Sequence, residues 1–94
     1  MRIRAVKLDV DWAVAGPGMV AVAEAVDAVP GVEAANITIT EIDLETVGTD
    51  IAVEGDGIDL AALTEAIEKS GAVVHSVDQL IFGERLVGYE PRSR

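Results

Sequence analysis

The chain has 94 residues, with 17 acidic against seven basic side chains, a net charge of −10 and no cysteine. This length corresponds to one domain. The absence of cysteine excludes a disulfide framework, a thiol nucleophile and any thiolate metal site. The acidic balance, without a basic patch, argues against nucleic acid as a direct partner. Half of the residues are hydrophobic, but they are mostly Ala and Val. Such a core buries little area per residue, so an oligomeric interface would add stability.

The sequence predicts a cytoplasmic protein without a membrane partner, because it contains neither the apolar run of a signal peptide nor a membrane-spanning segment. Only two of the seven bases are lysines. A high acid load with little lysine is typical of proteins from a salt-rich cytoplasm, where the screening length falls to about 3 Å at 1 M salt. On this halophilic interpretation most of the carboxylates are solvated surface.

The first half of the chain predicts a strand, a helix and a long second strand. Apolar residues alternate with charged ones from Val6 to Trp12, as in a half-buried strand. The segment AVAGPG, residues 13–18, breaks this pattern, and its Pro17 suits the first turn of a helix that ends at Pro30-Gly31. Its apolar face consists of Met19, Val22, Ala23 and Val26. The next strand is predicted from about Val32 to Leu44.

The second half predicts a short return strand, a helix and a last strand. A turn is expected at 46–48, before Ile51 and Val53. Asp59 is a suitable cap for a helix with Leu60, Leu63 and Ile67 on its apolar face. Glu65 and Lys69 form a favourable i,i+4 pair, and Gly71 ends the helix. Val73, His75 and Val77 then alternate with Val74, Ser76 and Asp78 as a final strand.

This order of elements predicts an α+β fold, the ferredoxin-like βαββαβ sandwich. Two right-handed βαβ units joined by a hairpin give a four-stranded antiparallel sheet with both helices on one face. We expect a single domain over residues 1–88 and a polar C-terminal tail over residues 89–94.

The stretch NITITEIDLET, residues 36–46, changes its apolar face halfway along the predicted strand. Ile37 and Ile39 are in phase with Glu41 and Asp43, whereas the later apolar residues are out of phase with them. Three explanations are open: a strand that leaves its own domain to meet another subunit, which we favour, a local bulge, or a carboxylate site. The first predicts a subunit interface on the sheet face that the helices leave uncovered, formed by Thr38, Thr40, Ile42 and Leu44.

Two sets of side chains are candidates for chemistry. Glu41 and Asp43 lie two apart on one face, so they could share Ca²⁺ or Mg²⁺ if water, carbonyls or another subunit completed about six oxygen ligands. Their alternative role is that of solvated acids. His75, the one histidine, could act as a base or ligand near Asp78. Because His75 is in phase with Val73 and Val77, and Ser76 and Asp78 point to the opposite face, a structural role is favoured.

Two resemblances concern the fold and a loop. The run VPGVEAANITITEIDLETVGTDIAVEG, followed by LAALTEAIEKSG, resembles the heavy-metal-associated domain. The loop DWAVAGPGM lacks that family's Cys-x-x-Cys pair, which excludes soft-metal transport. AGPGMVAVAEAV is similar to the ACT regulatory domain, which implies a small anionic ligand near Gly16, Gly18 and Met19 at a helix N-terminus. A plain helix start is the alternative.

A third resemblance is more specific. GVEAANITITEIDLET, IAVEG, AIEKSG and VVHSVDQLIFGERLV resemble the archaeal domain-of-unknown-function 211 family, mainly over residues 31–87. The chain departs from that family's usual pattern between residues 11 and 18. The resemblance implies a ferredoxin-like fold that assembles into homo-oligomers, and it implies no activity.

The expected function is therefore a non-enzymatic, homo-oligomeric domain that assembles through the open sheet face and needs no cofactor. The alternative is a ligand-sensing regulatory module that binds a small anion or a divalent cation, Ca²⁺ or Mg²⁺, at a subunit interface. An enzyme would require His75 and an acid to meet in a pocket.

Overall fold

A computed structural model describes residues 1–92, which contain four strands and two helices in the predicted order. The elements are β1 (Ile3–Ala13), α1 (Met19–Asp27), β2 (Val32–Ile42), β3 (Thr46–Gly55), α2 (Leu60–Lys69) and β4 (Val73–Phe82). The strands form an antiparallel sheet in the order β2-β3-β1-β4. The predicted ferredoxin-like α+β fold is confirmed. Of the predicted tail, residues 93 and 94 lie outside the described residues. Neither helix is long and apolar enough to cross a bilayer.

The core lies between the two helices and one side of the sheet, which we call the helix side. Alternate side chains of the central strands β1 and β3 are buried there against apolar residues of both helices. The core residues on these four elements include Val6, Leu8, Val10, Trp12, Val22, Val26, Val47, Ile51, Val53, Leu63 and Ile67. Trp12 is thus a packing residue, in agreement with its place in the alternating pattern of β1. The other side of the sheet, the open face, carries the intervening residues of β1 and β3.

The ends of the helices follow from local chemistry. Asp59 caps α2, because its carboxylate accepts a hydrogen bond of 3.0 Å from the backbone N–H of Ala62. Lys69 Nζ lies 2.8 Å from Glu65 Oε1, which confirms the predicted i,i+4 pair. The start of α1 has no side-chain cap, and Gly18 occupies the cap position with φ 82°.

A β-bulge explains the change of face within NITITEIDLET. Ile39 pairs with Thr49 and Glu41 with Gly48, so Thr40 is the extra residue on β2. After the bulge, Ile42 pairs with Val47, whose side chain belongs to the core. Ile39 and Ile42 therefore lie on the same side of the sheet, the helix side. The preferred explanation, a strand that swaps faces as it leaves the domain, is wrong, and the bulge is the correct alternative.

The turn between β2 and β3 begins three residues earlier in the chain than predicted. β2 ends at Ile42, and the turn spans residues 43–45 rather than 46–48. Asp43 Oδ1 accepts hydrogen bonds from the backbone N–H groups of Glu45 and Thr46, at 2.9 and 2.8 Å. An aspartate that binds the backbone two and three residues ahead is a common device for reversing the chain. The predicted turn is wrong because Asp43, which alternation alone places on the strand, binds the backbone of the turn with its side chain.

Two irregularities in β4 overturn the predicted alternation around His75. The pairing of β4 with β1 shifts at Asp78 and again at His75. These shifts place Val74 and Val77 opposite core residues of β1, on the helix side. His75 contacts Asp11 on the open face, and Ser76 Oγ donates a 2.7 Å hydrogen bond to Asp78. His75 is therefore not in phase with Val77, because each bulge advances the side-chain phase by one residue.

Arg4 holds the segment that follows β4. Its guanidinium donates hydrogen bonds to the carbonyls of Gly83 and Glu84, at 3.3 and 2.8 Å, and to that of Gly55 at 3.4 Å. Beyond this anchor, residues 86–92 have no regular secondary structure. We call residues 84–92 the C-terminal segment.

Candidate functional site

The open face carries an acidic cleft at the end of the sheet next to the β2–β3 turn. The register pairs Asp9 with Asp50, and it places Asp11 and Glu41 on either side of Gly48. Gly48 has no side chain and therefore leaves a depression in the sheet surface between Asp11 and Glu41. A Cβ on Gly48 would partly fill it, at 3.5 Å from Asp11 Oδ1 and 3.7 Å from the Glu41 Cβ. The cleft has a volume of about 330 Å³ and is lined by Asp9, Asp11, Thr40, Glu41, Asp43, Thr46, Gly48 and Asp50.

Few positive charges balance these carboxylates. His75 Nε2 lies 2.8 Å from Asp11 Oδ2 and pairs with it as an ion only when the imidazole is protonated. Lys7 lines a neighbouring hollow together with Asp50 and Asp78. Like charges on facing strands destabilise a sheet, and salt reduces their repulsion. A subunit that covered this face would therefore bind more readily at high ionic strength, or with a cation between the carboxylates.

The predicted cation ligands share this cleft but do not form a complete site. Glu41 and Asp43 both line it, but Asp43 Oδ1 is already held by two backbone N–H groups of the turn. Within residues 1–92, no three His, Cys, Asp or Glu side chains are arranged to hold a metal ion. Further oxygen ligands would have to come from water or another subunit. Binding of Ca²⁺ or Mg²⁺ stays a prediction.

Asp43 is expected to stabilise the hairpin in a pH-dependent way. The backbone N–H groups of Glu45 and Thr46 lower the pKa of its carboxyl below the ordinary 3.8. A group with a lowered folded-state pKa contributes stability that is fully present above the unfolded pKa and is lost as pH falls through the folded one. Asp43→Ala should therefore lower the free energy of unfolding at pH 7, and the difference from the wild type should shrink below about pH 3.8.

The measurement is urea unfolding of the wild type and Asp43→Ala between pH 2 and 7, at one salt concentration. Asp43→Asn is the matched control, because the amide oxygen can still accept both hydrogen bonds but does not titrate. If the difference in free energy of unfolding between the wild type and Asp43→Ala does not change with pH, the ionised carboxylate does not stabilise the turn.

A second concave surface lies between α1 and the edge strand β2. This α1–β2 groove has a volume of about 520 Å³ and is mostly apolar. Its carboxylates, Glu24 and Asp27, come from α1. The groove exists because α1 buries only Val22 and Val26 and leaves its remaining apolar residues beside β2. It is lined by Met19, Val20, Ala23, Glu24, Asp27, Val32, Ala34, Ala35 and Ile37.

The residues predicted to bind an anion are not arranged around a common ligand position. The Gly16 N–H donates to the carbonyl of Ala13 at 2.7 Å, within the loop itself. Gly18 is the cap residue of α1, and Met19 lines the apolar α1–β2 groove. Binding of a small anion here stays a prediction, and no basic side chain is among the groove residues.

The four predicted interface residues do not share one face, which corrects their common assignment to the open face. The Thr38 hydroxyl lies on the open face, where it donates to Asn36 Oδ1 at 2.5 Å. Thr40 is the bulge residue and lines the acidic cleft. Ile42 is on the helix side, and Leu44 lies in the turn with 97% of its surface exposed. All four nevertheless belong to β2 and its turn, so their role in a subunit contact stays a prediction.

Reasoning from the sequence missed the α1–β2 groove and the partner of His75. One signal for the groove was present: residues 34–39, AANITI, contain no charge in a chain where a quarter of the residues are charged. No comparable signal indicated the pairing of His75 with Asp11, because it depends on the two shifts of register in β4.

The sheet order and the two helices define the class of protein, a ferredoxin-like α+β domain with one uncovered sheet face. Comparison of the sequence with protein families identifies the particular family. Residues 4–94 match the model of domain of unknown function 211, DUF211, described as "Uncharacterized ArCR". The chain belongs to this family, as its motifs predicted.

A curated relative from an archaeon supports the same assignment. The chain is 34% identical over 56 residues to "Uncharacterized protein MJ0319" of Methanocaldococcus jannaschii. The matched part covers 60% of this chain and 58% of that protein. The chain thus spans little more than half of the length of the relative.

Proposed function

We propose that the protein is a non-enzymatic domain whose function is self-assembly into a homo-oligomer through β2, its turn and the adjoining part of α1. The observation that carries the proposal is an exposed apolar surface along the edge strand β2. We call it the β2 surface; it consists of Met19, Val20, Ile39, Ile42 and Leu44.

The backbone of β2 supports this proposal, because its outer edge is regular and uncharged in the middle. An unpaired edge strand is a template for another strand, and proteins usually protect it with charges or bulges. Between the register shift at Glu33 and the bulge at Thr40, residues 34–39 pair with β3 without interruption and contain no charged side chain. In the opposite edge strand, β4, the register shifts occur within the strand at the charged residue Asp78 and at His75.

The side chains of the β2 surface support it as well. Ile42 is 64% exposed and Val20 70% exposed, although each is a large apolar residue. Neighbouring exposed apolar residues of this kind are typical of interaction sites. Covering them would add stability to the domain, at about 25 cal/mol per Å² of buried apolar area.

The acidic cleft favours a role for salt or a cation in the same assembly. A subunit bound at β2 would approach the cleft, because Thr40 and Glu41 belong to both regions. Screening or a bridging cation would relieve the repulsion between carboxylates of neighbouring subunits. Adaptation to a salt-rich cytoplasm and a cytoplasmic location are likewise predictions from the sequence.

Leu44→Asp should weaken assembly, raising the dissociation constant by about tenfold or more, or about 1.4 kcal/mol. Leu44 is almost fully exposed within one chain, so the substitution should leave the fold intact. The measurement is the native mass by light scattering over a range of protein concentrations in molar KCl. The wild type should be an oligomer of the 9.8 kDa chain. Ala61→Asp, on the exposed side of α2, adds the same charge away from β2 and should leave the mass unchanged.

A Leu44→Asp variant with the mass and concentration dependence of the wild type would contradict the proposal. The same measurement with millimolar Ca²⁺ or Mg²⁺ separates the alternative function. If the wild type assembles only with the cation, and Glu41→Gln abolishes that response, the protein is a cation-sensing module instead of a constitutive oligomer.

A further inference from the structure

We infer that the α1–β2 groove binds the C-terminal segment of a second copy of the chain, which adds to the edge of β2 as an extra strand. This inference rests on the proposed homo-oligomer and names the part of the partner subunit that makes the contact.

The C-terminal segment has the composition of a ligand for this groove. Leu86, Val87 and Tyr89 are 54%, 71% and 76% exposed, so three large apolar side chains in four residues are uncovered within their own chain. Beyond the Glu84 carbonyl, which Arg4 holds, the segment has no regular secondary structure of its own, so its backbone groups can pair with a strand edge. Pro91 ends the stretch that could donate ladder hydrogen bonds.

The spacing of its side chains fits a strand placed beside β2. In an extended segment alternate residues point to the same side, so Val87 and Tyr89 would enter the apolar groove together. Residues 85–90, between the anchored Glu84 and Pro91, form a stretch of six residues, the same length as the uninterrupted, uncharged stretch 34–39 of β2. Backbone pairing would hold the segment, and the groove would select its side chains.

The C-terminal segment is much less acidic than the rest of the chain. Residues 84–92 carry two bases and two acids, a net charge of 0, whereas residues 1–83 carry −11. Glu24 and Asp27 are among the groove residues, and Arg85 and Arg92 flank the apolar part of the segment. Opposite charges of this kind steer association and fix its register.

The segment cannot reach the groove of its own chain. Arg4 fixes the carbonyls of Gly83 and Glu84 at the β4 side of the sheet, whereas β2 lies at the opposite edge. A new strand beside β2 would be four inter-strand spacings from β4, or about 19 Å. The three residues from Glu84 to Val87 extend over at most about 11 Å. The occupant must therefore come from another subunit, so that each chain donates one segment and accepts another.

The test uses two full-length variants that alter the two sides of the contact separately. The segment variant carries Val87→Asp and Tyr89→Asp, and the groove variant carries Val20→Glu. All three positions are largely exposed within one chain, so circular dichroism and thermal unfolding should show intact folds. Light scattering should show each variant alone as a 9.8 kDa monomer or a smaller assembly than the wild type. A 1:1 mixture should form a heterodimer, because the groove variant has an intact segment and the segment variant has an intact groove.

The possible outcomes distinguish this inference from the proposed function. A monomeric wild type at all concentrations would overturn both. An oligomeric wild type with an unchanged mass in the segment variant would overturn the inference and leave self-assembly through β2 standing. A segment variant that dissociates but does not combine with the groove variant would also overturn the inference, since the segment would then contact a different surface. Ala61→Glu, on α2, is the control for the added charge. When it is mixed with the segment variant or with the groove variant, it should form the same assemblies as the wild type does.

Discussion

Gly55→Ala is expected to destabilise the domain by more than about 3 kcal/mol, the upper end of the usual range for overpacking. Gly55 is the last residue of β3. Its backbone lies against residues 31–33, where the chain enters β2 after the turn that follows α1. A Cβ at Gly55 would overlap the carbonyl oxygen of Gly31 and would lie 3.1 Å from the backbone nitrogen of Glu33. Both obstacles are backbone atoms, so no side-chain rotation can relieve the contact.

The effect of Gly55→Ala should extend to β2 and α2 because this contact joins them. The carbonyl of Gly31 accepts a 2.9 Å hydrogen bond from the Asp56 N–H, and the carbonyl of Pro30 accepts one of 3.2 Å from the N–H of Asp59, the cap of α2. Urea unfolding at low protein concentration, where assembly does not contribute to the apparent stability, measures the loss. Gly88→Ala is the matched control, since a Cβ there meets no atom within 4 Å, and it should change stability by less than about 0.5 kcal/mol. Equal midpoints for the two variants would show that this contact is not tightly packed.

Leu63→Ala is expected to lower the free energy of unfolding by about 2–5 kcal/mol, the range found for leucine truncations in protein cores. Leu63 is fully buried on α2 and belongs to the core cluster with Ile67 and the central strands. The core contains as many larger residues as valines, among them Leu8, Ile51 and Ile67. The cost within this range depends on how far these neighbours move into the space that the truncation leaves.

Leu44→Ala provides the matched control for Leu63→Ala, because it removes the same atoms from a position that is 97% exposed. Monomer stability should change by less than about 0.5 kcal/mol. Chemical unfolding at low protein concentration separates the two effects, since assembly through β2 would add a concentration-dependent term to the apparent stability of the wild type. A loss of less than about 1 kcal/mol in Leu63→Ala would contradict the tight packing of α2 on the sheet.

Local sequence patterns are sufficient to predict two elements of the fold, β1 and α2. The strand β1 was predictable because Val6, Leu8, Val10 and Trp12 keep a strict alternation across a half-buried sheet. The helix α2 was predictable because its cap, its apolar stripe and its C-terminal glycine agree. Given two such βαβ units, handedness and packing leave few arrangements besides the ferredoxin-like sandwich.

The candidate site was less predictable, because it depends on bulges. A bulge changes the face of every later side chain, but it has no fixed sequence signature. The extra residue Thr40 moved Ile42 away from the face that period two assigns to it, and the shifts at His75 and Asp78 did the same in β4. The acidic cleft is predictable only in part: the sequence indicates Glu41 and Asp43, but Asp50 joins them only through the pairing of β3 with β1 and β2.

The sequence alone determined the class of fold, the absence of thiol chemistry and the family, because composition, periodicity and family motifs are properties of short stretches of chain. Tertiary structure alone decided which surfaces are exposed. Strand register brought Asp9, Asp11 and Asp50 into one cleft, and the packing of α1 at Val22 and Val26 left a groove beside β2. These features arise from contacts between residues far apart in the chain, where a shift of one residue in pairing reverses the face of a side chain.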